Sequence, residues 1–377
     1  MYFDYCATTP PDDRVIEAMT QCLRDSFGNP SSLHFYGRQA AAIVEDARQK
    51  VAALLGAKPD EIVFTSGATE ANNLALGGIL QPWEGKQPHL ITCAIEHHAV
   101  LHTANQMKKM GCDLTVLPVD RQGCVDPDAV RQAIRPNTRL ISIMHVNNEV
   151  GSIQPVAEIG KIARERGVTF HTDAVQGVGH LDTHVELMNV DLLSISAHKI
   201  YGPKGVGALF VRTGVHLEPQ ILGGPQERQL RAGTENTAGI AGFGVAADLV
   251  HQFRAQDCEK YQQLRGYFGS KVYEKISDVI INGAAPDHQS PHVLSLTFPG
   301  VVSEMLQIRL SMKNIAISLG SACNSSEIVP SHVLLAMGFS PELADATIRV
   351  SIGRLTTLAE IDQMIEILSY EINQMKR

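Results

Sequence analysis

Short apolar runs alternate with helical patterns from about residue 15 to about residue 250, and this alternation most constrains the fold. A short apolar run followed by a longer amphipathic segment is the repeat that builds βαβ units. Helices cover both faces of such a sheet, so its strands consist almost wholly of apolar residues. We therefore predict an α/β fold with a mostly parallel seven-stranded sheet, whose strands are 61–65, 90–93, 114–117, 140–144, 168–171, 192–195 and 207–211.

The pattern changes after a polar helical stretch at 251–264. Two further strand patterns follow, at 279–281 and 293–298, and they are typical of an α+β unit. A capping-box sequence at 357–360 predicts the start of the last helix. With 377 residues and 44% hydrophobic content, the chain can form two cores. The expected parts are an N-terminal segment, 1–14, that packs with the small domain, a large domain, 15–250, and a small C-terminal domain, 251–377.

Charge and cysteine content argue against several classes of function. The net charge is −8 and no basic stretch stands out, which argues against nucleic-acid binding. No run approaches 18 uninterrupted apolar residues and the first residues do not form a signal peptide, so we expect no membrane association. The seven cysteines are odd in number and form no Cys-x-x-Cys pair. This favours free thiols in a reducing cytoplasm over disulfides or a metal site.

One lysine, Lys199, follows the predicted strand 192–195 and precedes a loop rich in Gly and Pro. A lysine at the mouth of an α/β sheet can be desolvated and lose its proton. The neutral amine can then form a Schiff base with a carbonyl cofactor. Most lysines are surface residues, so the loop alone leaves both interpretations open.

Four more polar sites follow predicted strands, where ligands bind in open α/β sheets. Asp173 lies 26 residues before the lysine and could keep a pyridine nitrogen protonated, or it could cap the next helix. His97 could stack on a planar ring and move protons, although a lone histidine is more often structural. Asn148 could donate to a phenolic oxygen or a carboxylate, or mark a turn. Ala68 and Thr69 could hold a phosphate at a helix N-terminus, or simply begin that helix.

A thiol and two arginines complete the candidates. Cys323 is surrounded by small and turn-forming residues, so we expect an exposed, flexible loop that carries a nucleophile. Arg349 and Arg354 lie close together near the C-terminus, and a guanidinium suits the carboxylate of an amino-acid substrate. Either arginine could instead form a structural salt bridge.

These residues together resemble the cysteine desulfurases, which belong to the class V aminotransferase-like group of pyridoxal phosphate enzymes. The likeness extends over nearly the whole chain, and it implies fold type I of the pyridoxal phosphate-dependent transferases. The motifs that carry it are Asp4-Tyr-Cys-Ala-Thr-Thr-Pro10, Phe27-Gly-Asn-Pro-Ser-Ser32, Phe64-Thr-Ser-Gly-Ala-Thr-Glu70, Met144-His-Val-Asn-Asn-Glu149, His198-Lys-Ile-Tyr-Gly-Pro-Lys-Gly205, Arg231-Ala-Gly-Thr-Glu-Asn236 and Gly320-Ser-Ala-Cys323.

The resemblance implies a role for each candidate. Lys199 would carry pyridoxal phosphate and act as the base, Asp173 would pair with the ring nitrogen, and His97 would stack on the ring. Arg349 or Arg354 would bind the substrate carboxylate, together with Asn148. The remaining cofactor contacts would come from Ala68, Thr69, Asn148, Gln176, Ser196 and His198, with Thr234 reaching in from the other subunit of a homodimer.

The reaction implied is removal of sulfur from L-cysteine, which gives L-alanine and a persulfide on Cys323. The sulfur would pass to acceptor proteins for iron–sulfur cluster assembly or for thiolation of tRNA or cofactors. The nearest alternatives are a selenocysteine lyase or another class V aminotransferase-like enzyme. A cofactor-free sulfur carrier with the same fold is a more distant one, and the presence of Lys199, Asp173 and His97 together argues against it.

Overall fold

The larger of two sheets organises the computed structural model, which describes residues 1–81, 87–319 and 330–376. Its spatial order is β1-β7-β6-β5-β4-β2-β3. β7 pairs antiparallel with both β6 and β1, and every other pair is parallel. The strands are β1 (Ile62–Thr65), β2 (His89–Cys93), β3 (Asp113–Leu117), β4 (Thr138–Ser142), β5 (Thr169–Asp173), β6 (Leu192–Ser196) and β7 (Gly207–Val211).

All strands of this sheet except β7 end at the same edge. β1 and β6 are both antiparallel to β7, so they run parallel to each other, and the last residues of both, Thr65 and Ser196, pair with Gly207. That close approach requires a glycine, because a Cβ on Gly207 would lie 2.8 Å from the Gly67 backbone. The loops that follow β1, β2, β4, β5 and β6 therefore open onto one edge, where ligands bind in such sheets.

A smaller antiparallel sheet of order β10-β11-β9-β8 forms the second core. The N-terminal residues join it, since Tyr2 bridges to Ala316 and Asp4 bridges to Ser351. Helices pack against this sheet and bury Leu306, Leu368 and their neighbours. The strands are β8 (Ile280–Asn282), β9 (Val293–Thr297), β10 (Ser318–Leu319) and β11 (Thr347–Ser351).

One helix, Thr237–Lys275, runs from the first core to the second. Its first half buries Phe243 and Val250 against the large sheet, and its second half buries Phe268 and Val272 against the small one. The helices are α1 (Asp13–Asp25), α2 (Phe35–Leu55), α3 (Ala68–Leu80), α4 (His98–Lys109), α5 (Pro127–Ala133), α6 (Val156–Arg166), α7 (Val185–Met188), α8 (Thr237–Lys275), α9 (Ser303–Ser311), α10 (His332–Ala336), α11 (Pro341–Asp345) and α12 (Leu358–Met375).

The predicted fold class is confirmed, with a mostly parallel seven-stranded sheet and a smaller C-terminal unit. The predicted capping box is also present, because Thr357 caps α12 and Glu360 bonds back to it. Strand ends differ by one or two residues from the apolar runs: β4 ends at Ser142, and β5 continues to Asp173. The expected boundary near residue 250 falls inside α8, whose helical pattern continues from one core into the other. None of the helices in the described part of the chain is both long and apolar enough to cross a bilayer.

Candidate active site

A cavity of about 600 Å³ lies at the carboxyl edge of the large sheet. Loops after β1, β2, β4, β5 and β6 line it, together with Arg349 from the small sheet and Cys6 and Ala7 from the N-terminal segment. Most of the residues proposed from the sequence meet here, although up to about 280 residues of chain separate them. The site thus lies where the two cores and the N-terminal segment join.

Lys199 ends a 3-10 turn, Ala197–Lys199, that follows β6. Its Nζ donates to the carbonyl oxygens of Cys6 and, at 2.9 Å, of Ala7. Burial lowers the pKa of Lys199 to about 8, because desolvation disfavours the ammonium form. About a tenth of this amine is therefore neutral and nucleophilic at pH 7, far more than for an exposed lysine.

Asp173 is the last residue of β5 and is 6% exposed. One carboxylate oxygen, Oδ2, accepts from Asn72 Nδ2 at 2.7 Å, and Oδ1 accepts from the Val175 amide at 3.1 Å. Both oxygens are thus held by donors while the side chain lines the cavity. A carboxylate in this setting can stabilise a cationic ring nitrogen.

His97 caps α4, where its Nδ1 accepts from the Ala99 amide at 3.1 Å. Burial lowers the pKa of His97, so the neutral ring is favoured. Since Nδ1 acts as an acceptor, the proton of that neutral ring lies on Nε2. Behind it, Glu96 accepts from the Met144 amide at 2.7 Å, and burial raises the pKa of Glu96 to about 8.

The end of β1 and the start of α3 form one part of the cavity wall. Ala68 and Thr69 are the first residues of α3, whose free N–H groups and dipole favour a negative group. Ser196 and His198 line the same cavity from the end of β6. Burial lowers the pKa of His198 to about 4, so this ring is neutral and can donate a hydrogen bond without adding charge.

Two amide side chains also line the cavity. Gln176 lines the cavity, and its Nε2 donates to the Cys6 carbonyl at 3.0 Å while its Oε1 lies 3.3 Å from His292 Nε2. Asn148 also lines the cavity, and its main-chain carbonyl accepts from Arg349 at 2.9 Å. The amide of Gln176 is therefore held in one orientation.

The structure distinguishes the two arginines that the sequence left as alternatives for binding the substrate carboxylate. Arg349 lines the cavity, is 4% exposed, and pairs through Nη2 with Asp4 at 2.8 Å. Its buried Nε has no hydrogen-bond partner among the described residues. Arg354 lies outside the cavity lining, where it pairs with Asp257 at 2.7 Å and stacks on the ring of Tyr201.

One further candidate, Thr234, lies away from this geometry. Thr234 is exposed and lines a separate cavity of about 150 Å³ behind the loop after β1. Cys323 lies outside the described residues. The chain on either side of that gap does reach the site, since Ser318 of β10 pairs with Arg349, and Pro330 and Ser331 line the main cavity.

The polar groups of the cavity fit pyridoxal phosphate. They comprise a helix N-terminus for the phosphate, the Asp173 carboxylate for a ring nitrogen and the Lys199 amine for an aldehyde carbon. Asn72 Oδ1 is buried and lacks a hydrogen-bond partner within the described residues, as expected of a cavity that receives a polar ligand. Sequence reasoning did not propose Asn72, although it lies one helical turn after Ala68, a spacing that places both on one face of α3.

Comparison with known proteins agrees with this geometry. The family model for class-V aminotransferases matches residues 1–364. A cysteine desulfurase IscS from Dictyoglomus turgidum is 47% identical over 100% of this chain and 95% of its own length. A cysteine desulfurase IscS from Methanosarcina thermophila is 44% identical over 100% of this chain and 93% of its own.

Two solved structures are also similar. A NifS-like protein superposes with a TM-score of 0.93 at 36% identity, covering 99% of both chains. A structure described as SspA in complex with cysteine gives a TM-score of 0.82 at 42% identity, covering 94% of this chain and 99% of its own.

The low pKa of Lys199 predicts a distinct pH dependence for its chemical labelling. Reductive methylation of the cofactor-free protein, followed by mass spectrometry of the Lys199 peptide, should show a rate that rises with pH and levels off by about pH 9. The reason is that the amine becomes mostly neutral above its pKa of about 8. Exposed lysines of the same protein serve as internal controls. A Lys199 rate that still increases about tenfold per unit through pH 10 would contradict the prediction.

Proposed function

The chain belongs to the class-V aminotransferase family as a pyridoxal phosphate-dependent cysteine desulfurase, and we propose that Lys199, Asp173 and Cys323 carry its reaction. The observation that carries this proposal is the meeting of the Lys199 amine and the Asp173 carboxylate in one cavity. A neutral lysine and an ionic partner for a ring nitrogen are the two groups such chemistry requires.

Each residue then has a defined task. Pyridoxal phosphate, when bound, supplies a sink for the electrons released at the substrate Cα. Asp173 keeps the proton on the ring nitrogen, and Ala68, Thr69, Ser196 and His198 hold the phosphate. Lys199 takes the proton from the Cα of L-cysteine, and His97 moves a second proton at the substrate.

Cys323 completes the sulfur transfer. Its thiolate attacks the sulfur of L-cysteine, a new S–S bond forms, and the Cβ–S bond breaks with its electrons left on Cβ. Protonation of Cβ and return of a proton from Lys199 to Cα then give L-alanine, and the sulfur remains as a persulfide on Cys323. In support, Cys323 is only four residues beyond Leu319 in the chain. Four residues of fully extended chain span at most about 14 Å.

Mass spectrometry of the protein after addition of L-cysteine tests this assignment. The Cys323 peptide should gain one sulfur atom, and Cys323→Ser should lose both the added sulfur and alanine formation while keeping the bound cofactor. Cys124→Ser is the matched control, because Cys124 is partly exposed but does not line the cavity. Alanine formation from L-cysteine that survives Cys323→Ser would refute the role of Cys323.

The substrate carboxylate is assigned to Arg349, with the Asn148 side chain as a second contact. Arg349→Lys should reduce kcat/KM for L-cysteine about 10- to 100-fold, mainly by raising KM, because a lysine cannot supply the two-pronged contact. Arg354→Lys should leave KM unchanged and lower the melting temperature, since its contacts are to Asp257 and Tyr201. If steady-state kinetics show a raised KM for Arg354→Lys and an unchanged KM for Arg349→Lys, the substrate carboxylate binds Arg354 instead.

The enzyme acts as a homodimer in this proposal. Phe27, Leu33, Phe35 and Tyr36 form an exposed apolar cluster, and Leu33 alone is 89% exposed. Clusters of this kind mark protein interfaces. Thr234 is exposed on its own subunit, which suits a residue that reaches the phosphate site of the partner.

Sedimentation velocity tests the dimer. The parent protein should sediment at twice the 41.0 kDa chain mass, and Leu33→Glu should sediment as a monomer that retains less cofactor, because Thr234 is then lost from the site. Leu187→Glu is the control, since Leu187 is 64% exposed in α7, outside the cluster. A parent protein that sediments as a monomer, or a Leu33→Glu protein that stays dimeric, contradicts this interface.

The persulfide sulfur passes to an acceptor protein for iron–sulfur cluster assembly or thiolation, and the site of action is the cytoplasm. A reducing compartment suits this chemistry, because Cys323 must return to a free thiol after each transfer.

A further inference from the structure

Asn72 is a buried amide that contacts the carboxylate of Asp173 rather than any group of its own helix. It is 0% exposed, and its Nδ2 donates to Asp173 Oδ2 at 2.7 Å. A hydrogen bond to a charged acceptor is stronger than one between neutral groups. Asn72 also lines the cavity, so the contact lies at the site itself.

The chemistry of the contact defines the orientation of both side chains. If the amide were turned over, its Oδ1 would face a carboxylate oxygen and repel it, so the donor must point toward Asp173. The second oxygen of Asp173 is held independently by the Val175 amide. Together the two donors leave the carboxylate one rotational position.

Other charged groups around Asp173 do not replace this contact. Lys199, His97 and Glu96 are the titratable groups whose charges couple to it. The Nζ of Lys199 donates to the N-terminal carbonyls, and His97 Nδ1 accepts from the Ala99 amide. Among the described side chains, the hydrogen bonds to Asp173 therefore come from Asn72 alone.

Asn72 also lies one turn after Ala68 on α3. The same helix therefore presents its N-terminus to the phosphate end of the cavity and Asn72 to the carboxylate that faces the ring nitrogen. A rigid helix of 13 residues sets the distance between these two points.

We propose that Asn72 is the positioning residue of Asp173, which holds that carboxylate in register with the phosphate site at the start of α3. This inference rests on the proposed function, because it assigns Asp173 to the ring nitrogen of pyridoxal phosphate. Asn72 acts through Asp173 and does not itself react.

Titration of the cofactor-free protein with pyridoxal phosphate, followed by absorbance, tests the proposal. Asn72→Leu, which has a similar volume but no donor, should bind the cofactor about 10- to 100-fold more weakly. The residual enzyme should have a lower kcat with little change in KM for L-cysteine, because the substrate carboxylate site is untouched. Asn73→Ala is the matched control. Asn73 is next to Asn72 in the chain but its side chain is exposed, so this variant should bind pyridoxal phosphate as the parent does.

A second variant keeps the test decisive if Asn72→Leu folds poorly. Asn72→Asp preserves the shape, but its carboxyl group can donate to Asp173 only while it carries a proton. The affinity of Asn72→Asp for pyridoxal phosphate, divided by that of the parent at the same pH, should therefore be close to one at acidic pH and fall as the pH rises. Dividing by the parent value removes the titration of Lys199, His97 and Glu96, which both proteins share.

The two failures are distinguishable. A parent protein that does not bind pyridoxal phosphate overturns the proposed function. A parent that binds, with Asn72→Leu binding equally well or Asn72→Asp showing the parent's pH dependence, overturns only the role of Asn72.

Discussion

The parallel register between β5 and β6 is the constraint on which the rest of the site depends. Asp173 pairs with Ser194, so the last residue of β5 lies beside a strand that ends two residues later and leads into the turn carrying Lys199. A slip of one residue would send Asp173 to the opposite face of the sheet, because side chains alternate along a strand. The relative position of the Asp173 carboxylate and the Lys199 amine is thus a consequence of backbone pairing in the core.

Burial then gives these groups their chemistry. Desolvation lowers the pKa of Lys199 to about 8, lowers that of His97 and raises that of Glu96 to about 8. Each shift favours the neutral form, which is the form that a nucleophile or a proton carrier uses near neutral pH. Arg349 is more deeply buried than Lys199 or His97 and stays charged, and Asp4 pairs with it directly.

The N-terminal segment links the two cores at the cavity. Its Asp4 pairs with Arg349 of the small sheet, while the carbonyls of Cys6 and Ala7 accept from Lys199 of the large domain. The Cys6 carbonyl also accepts from Gln176. One short stretch of backbone therefore holds Lys199 and Arg349 relative to each other.

The sequence by itself determined the fold class and the principal polar groups of the site. Strand periodicity is local, and residues that follow parallel strands meet at one edge, so the placement of Asp173, His97 and Lys199 at that edge was predictable from position. The roles expected of them came from the family resemblance. Asn72, Asp4 and the carbonyls of Cys6 and Ala7 were not, because their partners are more than 100 residues away and follow no periodic pattern.

Only the tertiary structure distinguished Arg349 from Arg354, which are the same residue type and lie five residues apart in the sequence. Arg349 lies within β11 and is carried into the cavity, whereas Arg354 lies beyond the strand and pairs with Asp257 of α8. The physical reason is that local sequence sets which elements form and which faces they bury. The contacts across domains depend on how those elements pack, and packing alone decided which arginine faces the cavity.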